Sequence, residues 1–157
     1  MITSTQNDFR SLSLEDITSY LESAGEKTFR AKQIYEWLWQ KGVGSFEEMT
    51  NLSKDLRNKL KEDFVINSLS SDEKQVSKDG TVKMRFKTYD GHFIEGVLIP
   101  ATDRLTACVS SQVGCSLTCK FCATGRMGRK RNLNFDEIFD QVVLINKEAI
   151  AVHGRGL

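Results

Sequence analysis

Three cysteines fall within one short stretch, Cys115-Ser116-Leu117-Thr118-Cys119-Lys120-Phe121-Cys122, at a C-x₃-C-x₂-C spacing. Any fold open to this chain must bring a strand end to that loop and carry a helix away from it. Leu105 to Ser110 reads as the incoming strand. Asn134 or Asp136 caps an outgoing helix, with Ile138, Phe139, Val142, Val143, Ile145 and Ile150 on a broad apolar face. That breadth predicts packing against a sheet. One strand, a ligand loop and one helix make a single βα unit, which cannot bury its own helix. A complete barrel of such units takes about 250 residues. The 157-residue chain is therefore expected to be the N-terminal part of a longer protein.

The residues before the loop divide by periodicity. Residues 1–10 read as a frayed tail. Ser13 with Asp16 resembles a capping box, followed by Leu14, Ile17, Leu21 and Ala24 at helical spacing, with Gly25 as the stop. Thr28 is a second N-cap candidate, ahead of an apolar stripe of Phe29, Ala31, Ile34, Tyr35, Leu38 and Trp39. Gly42 and Gly44 end that stripe. Phe46 to Met49 is a single turn, and Ser53 caps a third helix with Leu56, Leu60 and Phe64 apolar. After Asn67 the pattern changes. Lys74 to Ser77, then Val82, Met84 and Phe86 alternating with charged residues, then Phe93 to Ile99, are strands separated by Asp79-Gly80 and Asp90-Gly91 turns. Pro100, the single proline, ends the third strand. The expected organisation is a helical accessory module over 1–66, a β-extension over 67–103 and the start of a barrel over 104–157. In class terms this is α+β: a helical module and an antiparallel β-meander leading into a first βα unit.

Composition narrows the chemistry. The first residues contain no apolar run of the kind a signal peptide needs, and no apolar run spans a bilayer. A cytoplasmic, reducing setting is expected. There, four cysteines point to metal binding or catalysis ahead of disulfides. The net charge of +1 hides an asymmetry: residues 1–103 sum to −3 and residues 104–157 to +4. Lys120, Arg126, Arg129, Lys130 and Arg131 carry five positive charges with no intervening acid. They read either as a solvated face or as a phosphate-binding path for a polyanion. Lys27, Arg30, Lys32 and Lys41 read first as a solvated helix face.

The cysteine loop admits three readings. A structural zinc site wants four ligands, often as two C-x₂₋₄-C pairs, and here a fourth would come from Cys108, His92 or His153. The cysteines could be core residues. Or three thiolates hold three irons of a [4Fe–4S] cluster and leave the fourth open to the amino and carboxyl groups of S-adenosylmethionine (SAM), whose one-electron cleavage yields a carbon radical. Taken alone, Glu95 reads as a solvent-facing strand residue and Cys108 as a small core residue. Trp37 and Trp39 read as core, and Gly125 and Gly128 as turn residues.

The C-x₃-C-x₂-C spacing with Phe121 before the last cysteine resembles the radical-SAM superfamily. The longer run from Ala107-Cys108-Val109-Ser110-Ser111-Gln112-Val113-Gly114 through Cys122-Ala123-Thr124-Gly125 resembles the RlmN/Cfr family of radical-SAM RNA methyltransferases. Ile94-Glu95-Gly96-Val97-Leu98-Ile99-Pro100 is closer to the branch methylating adenine C2 in 23S rRNA and tRNA than to the C8 branch. The resemblance implies a partial (βα)₆ barrel and a [4Fe–4S] cluster on Cys115, Cys119 and Cys122, with SAM as cosubstrate. It implies Glu95 as proton acceptor, and Cys108 in the disulfide-forming step that resolves a covalent enzyme–RNA intermediate. Arg126, Arg129, Lys130 and Arg131 become RNA contacts. A one-electron reductant such as flavodoxin or ferredoxin is a partner, and the protein is expected to be monomeric. The family's glycine-rich SAM segment and methyl-carrying cysteine lie beyond the last residue here. The resemblance thus implies an incomplete, inactive fragment. The alternative is a non-catalytic metal- or RNA-binding module left by truncation.

Overall fold

A computed structural model of the chain describes residues 7–117 and 119–157. The expected frayed tail lies outside these residues as far as position 6. From Asn7 onward the expectation fails. Asn7–Asp8 forms a short strand, β1, parallel to β2 (Phe64–Val65), and Phe9–Ser11 is a 3₁₀ turn. Phe9 is fully buried, edge-on to Phe46 at 5.4 Å and to Phe64 at 5.0 Å. Two edge-on aromatic contacts on one side chain outweigh the polarity of its neighbours. Arg10 is buried beside it, and its guanidinium donates to the Asn67 carbonyl.

Contacts divide the chain into two compact units, Met1–Asn67 and Ser68–Leu157. The described residues of the first unit hold three α-helices: α1 (Leu14–Ser23), α2 (Phe29–Trp39) and α3 (Lys54–Asp63). α1 starts at a reciprocal capping box. Ser13 Oγ accepts the Asp16 amide at 3.1 Å, and Asp16 Oδ2 accepts the Ser13 amide at 2.9 Å. Ser53 Oγ caps α3 through the Leu56 amide. Thr28 makes no side-chain cap. Its backbone is already αR and accepts the Ala31 amide, so the chain winds into α2 one turn early. Ile17, Leu21, Ile34, Leu38, Met49, Leu56 and Leu60 close the core around Phe9.

The second unit is a four-stranded antiparallel meander, β3 (Ser70–Val76), β4 (Val82–Lys87), β5 (Phe93–Pro100) and β6 (Leu105–Cys108), with a long helix on one face. Two short strands, β7 (Gln112–Val113) and β8 (Arg131–Asn132), pair antiparallel around a four-residue helix, α4 (Ala123–Arg126). α5 runs Phe135–His153. Glu137 accepts the Asn134 amide at its start. The molecule is thus α+β, helices first and an antiparallel sheet after.

Alternation along β4 and β5 decides the faces. Val82, Met84, Phe86, Ile94 and Leu98 are buried with Ile145 and Ala149 of α5. Gly96 sits among them. A Cβ there would come within 2.9 Å of both Ile145 and Phe86, so the helix approaches the sheet at the one residue without a side chain. Only part of the predicted apolar face of α5 is covered. Ile145 is buried and Ile138 packs on the core, whereas Val142 and Ile150 are exposed. Buried polar residues accompany the apolar ones: Asp140 accepts the Leu69 amide at 2.9 Å, and Gln141 is fully buried. Among the described residues no helix is long and apolar enough to cross a membrane.

Candidate functional site

The open face of the sheet carries the polar half of the alternation. Arg85 stands opposite Glu95 and Lys83 opposite Val97, while Cys108 stands opposite Val97 from the other side. Glu95, Val97 and Cys108 therefore project from one face. Glu95 is half-exposed and pairs with Lys83 at 3.3 Å. Arg85 holds Asp72 at 2.6 Å and lies 5.1 Å from the centroid of the Phe93 ring. Cys108 is an exposed, free thiol on the last residue of β6. The bare reading as a core cysteine fails because the core side of β6 belongs to Leu105 and Ala107.

β6 ends two residues earlier than the sequence pattern suggests. Gln141 draws the chain away from the sheet: its Oε1 accepts the Ser110 amide at 2.8 Å, and its Nε2 donates to the Ser110 carbonyl at 2.9 Å. Ser110 Oγ in turn donates to the Glu95 carbonyl at 2.7 Å. The start of the cysteine loop is thereby tied to the strand that presents Glu95. Nothing in the sequence marks Ser110 or Gln141 for this, because the partners are 31 and 15 residues apart.

The loop is closed at its base. Lys130 donates to Val113 and Leu133 to Ser111, both at 2.9 Å, flanking the β7–β8 pairing. Gly114 has φ +75°, and a Cβ there would lie 1.9 Å from the Gly128 carbonyl oxygen. The two arms cross at a point that admits no side chain. Gly128 is also left-handed, at φ +64°, as a turn residue should be. Gly125 is instead buried inside α4.

Cys115, Cys119 and Cys122 are free and partly exposed within the closed loop. The Leu117 amide lies 3.4 Å from Cys115 Sγ, and the Cys122 amide donates to the Cys119 carbonyl. Among the described residues, no three His, Cys, Asp or Glu side chains are already gathered as a metal cage. The donor chemistry fits a group held by three thiolates. All three cysteines lie outside the core, and three thiols within one short stretch are the donor type that iron–sulfur clusters take. The first loop arm and α4 meet the sheet in a cleft of about 320 Å³ lined by Arg85, Phe93, Glu95, Gly114, Ala123 and Thr124.

The basic segment is not uniform. Arg129 and Lys130 are exposed, and Arg126 is exposed with its guanidinium folded onto the Lys120 carbonyl at 2.9 Å. Arg131 differs from all of them. It makes two bonds to Glu137, at 2.7 and 2.8 Å, and two to Asp90, at 2.7 and 2.9 Å. These bonds, Glu137 first, push its already high pKa further up. The same guanidinium, with help from Thr88, holds the Asp90 carboxyl well below the usual carboxylate range.

Comparison with known proteins now bears on this arrangement. Residues 7–66 match the RlmN_N family, described as the ribosomal RNA large subunit methyltransferase N-terminal domain. A probable dual-specificity RNA methyltransferase RlmN from Cytophaga hutchinsonii is 61% identical over 144 residues, covering 92% of this chain and 39% of the relative. Residues 7–66 belong to the RlmN N-terminal-domain family. A second such relative, from Christiangramia forsetii, is 51% identical over 97% of the chain and 43% of its own length. A crystal structure of a radical SAM methyltransferase from Sphaerobacter thermophilus superposes with a TM-score of 0.80 at 38% identity, over 96% of this chain and 44% of that one. The chain thus spans about two fifths of the length of the curated relatives it matches.

Proposed function

We propose that this chain is the radical-generating portion of a radical-SAM methyltransferase acting on adenine C2 of 23S rRNA and tRNA. Cys115, Cys119 and Cys122 would hold a [4Fe–4S] cluster, leaving one iron for SAM, and β6, the cysteine loop and α5 would open a partial (βα)₆ barrel. When bound, the cluster and SAM supply a carbon radical, with electrons from a flavodoxin- or ferredoxin-like donor. The chain's own residues do the rest. Glu95 accepts the proton from adenine C2, for which it must come within about 2.6–3.2 Å of it. Cys108 offers an accessible thiol for the disulfide-forming release step. Arg126, Arg129 and Lys130 draw the phosphate backbone toward the loop. Arg131 is left out of that set because two carboxylates already occupy its guanidinium. A cytoplasmic monomer suits this reading. The 157 residues alone are not expected to methylate RNA, since the matched relatives are more than twice as long.

The observation that carries this reading is the shared cleft. Glu95, the first arm of the cysteine loop and the α4 segment that follows Cys122 line it, and Cys108 projects from the same sheet face as Glu95. Anaerobic reconstitution with iron and sulfide should give a brown protein with an iron–sulfur absorption, and Cys119→Ala should abolish it. A colourless protein carrying stoichiometric zinc would refute the cluster.

A further inference from the structure

We propose that Arg131 is a positioning residue. It clamps the closing ladder of the cysteine loop to the turn between β4 and β5, and so sets the loop against the strand that carries Glu95.

Four observations converge on this side chain. Arg131 belongs to β8, the returning arm of the loop, and pairs with Val113 across the ladder. Its Nε and Nη2 reach Asp90, in the Tyr89-Asp90-Gly91 turn, 41 residues away in sequence. Its Nη1 and Nη2 reach Glu137, which is almost fully buried in the first turn of α5 and also accepts the Asn134 amide. The guanidinium lies 5.5 Å from the Tyr89 ring centroid. One planar cation thus bonds to two carboxylates on two elements while sitting on a third.

The turn it grips is itself built to hold Asp90 in place. Thr88 Oγ1 donates to Asp90, and the Thr88 hydroxyl also accepts the His92 amide at 2.9 Å. Glu95 lies on β5, three residues after His92. The Ser110 hydroxyl on the Glu95 carbonyl ties the outgoing arm to β5, and Arg131 ties the returning arm to the turn that starts β5. With both arms fixed to one strand, the loop cannot swing away from Glu95 without breaking one of these ties. Lysine cannot replace this geometry, because a single ammonium lacks the planar fork that serves two carboxylates at once.

The clamp serves the cluster-binding reading above, and it is tested in the full 157-residue chain by two measurements. Hydrogen exchange reads the ladder directly. In Arg131→Lys and in Asp90→Asn, the Lys130 and Leu133 amides should exchange about tenfold faster or more, as loss of charge-assisted bonds requires. Amides in the centres of β4 and β5 should keep the parent rate. After anaerobic reconstitution with iron and sulfide, Arg131→Lys should hold less iron per chain. Its dithionite-reduced cluster should give an altered electron paramagnetic resonance spectrum, which general destabilisation of a still-folded chain would not produce. Parent-like exchange at Lys130 and Leu133 in both variants would overturn the clamp, and so would a parent-like spectrum and iron content in Arg131→Lys. If the parent chain takes up no iron, the cluster reading fails, and the exchange arm alone still decides whether the clamp exists.

Discussion

The crossing of Gly114 and Gly128 yields a prediction with a built-in control. In Gly114→Ala the new Cβ would stand 1.9 Å from the Gly128 oxygen, where ordinary contact begins near 3.4 Å. The two arms must separate by about 1.5 Å. At that separation the Lys130-to-Val113 and Leu133-to-Ser111 bonds are lost, at about 1 kcal/mol each. Alanine at positive φ adds about 1 kcal/mol. The ladder should therefore open with about 3 kcal/mol less cost, roughly a hundredfold rise in the open population. Gly128→Ala has a positive φ but nothing within 4 Å of the new Cβ. It should lose only the conformational part, about 1 kcal/mol, or roughly fivefold. Amide exchange at Lys130 and Leu133, compared among the three proteins, measures both. Equal effects of the two substitutions would show that the close approach is not what closes the loop.

Two further outcomes follow from other regions. Phe9→Ala empties a fully buried aromatic site and should destabilise the N-terminal unit by about 3–5 kcal/mol in urea unfolding; a change under 1 kcal/mol would mean the strand and 3₁₀ turn around it do not hold the core. Asp90 has its folded pKa depressed by Arg131, so its contribution is present above the unfolded carboxylate value and is lost only as pH falls through the lower folded one. Ladder protection, corrected for intrinsic exchange, should stay level from neutral pH through about pH 4 and weaken in stronger acid, whereas protection that stays unchanged in stronger acid would show that Asp90 contributes nothing to the ladder.

What the sequence could disclose depended on the span of each interaction. The α1 cap was legible because Ser13 and Asp16 are three residues apart and the motif is local. β4 and β5 were legible because Val82, Met84, Phe86 and Ile94, Leu98 alternate with polar neighbours. The cysteine spacing was legible, though the closure that shapes the loop was not. β7 and β8 have two residues each, too few for a period, and their pairing depends on Gly114 meeting Gly128. Phe9 was misread because its partners Phe46 and Phe64 are far along the chain. Arg131 was grouped with its basic neighbours because Asp90 and Glu137 meet it only after folding. Thr28 shows the limit of residue preference: it has a capping side chain, but its backbone is already helical.

The absent side chain at Gly96 reaches beyond packing. A strand that slipped by one residue would turn Glu95 or Val97 toward α5, where even a methyl group has no room beneath Ile145 and Phe86. Steric exclusion on the buried face therefore works as an alignment key for the exposed one. Substitutions that relax that contact, such as a smaller residue at Ile145, would loosen the reading frame of the sheet before they unfolded it. Their first symptom would be a carboxylate pointing the wrong way.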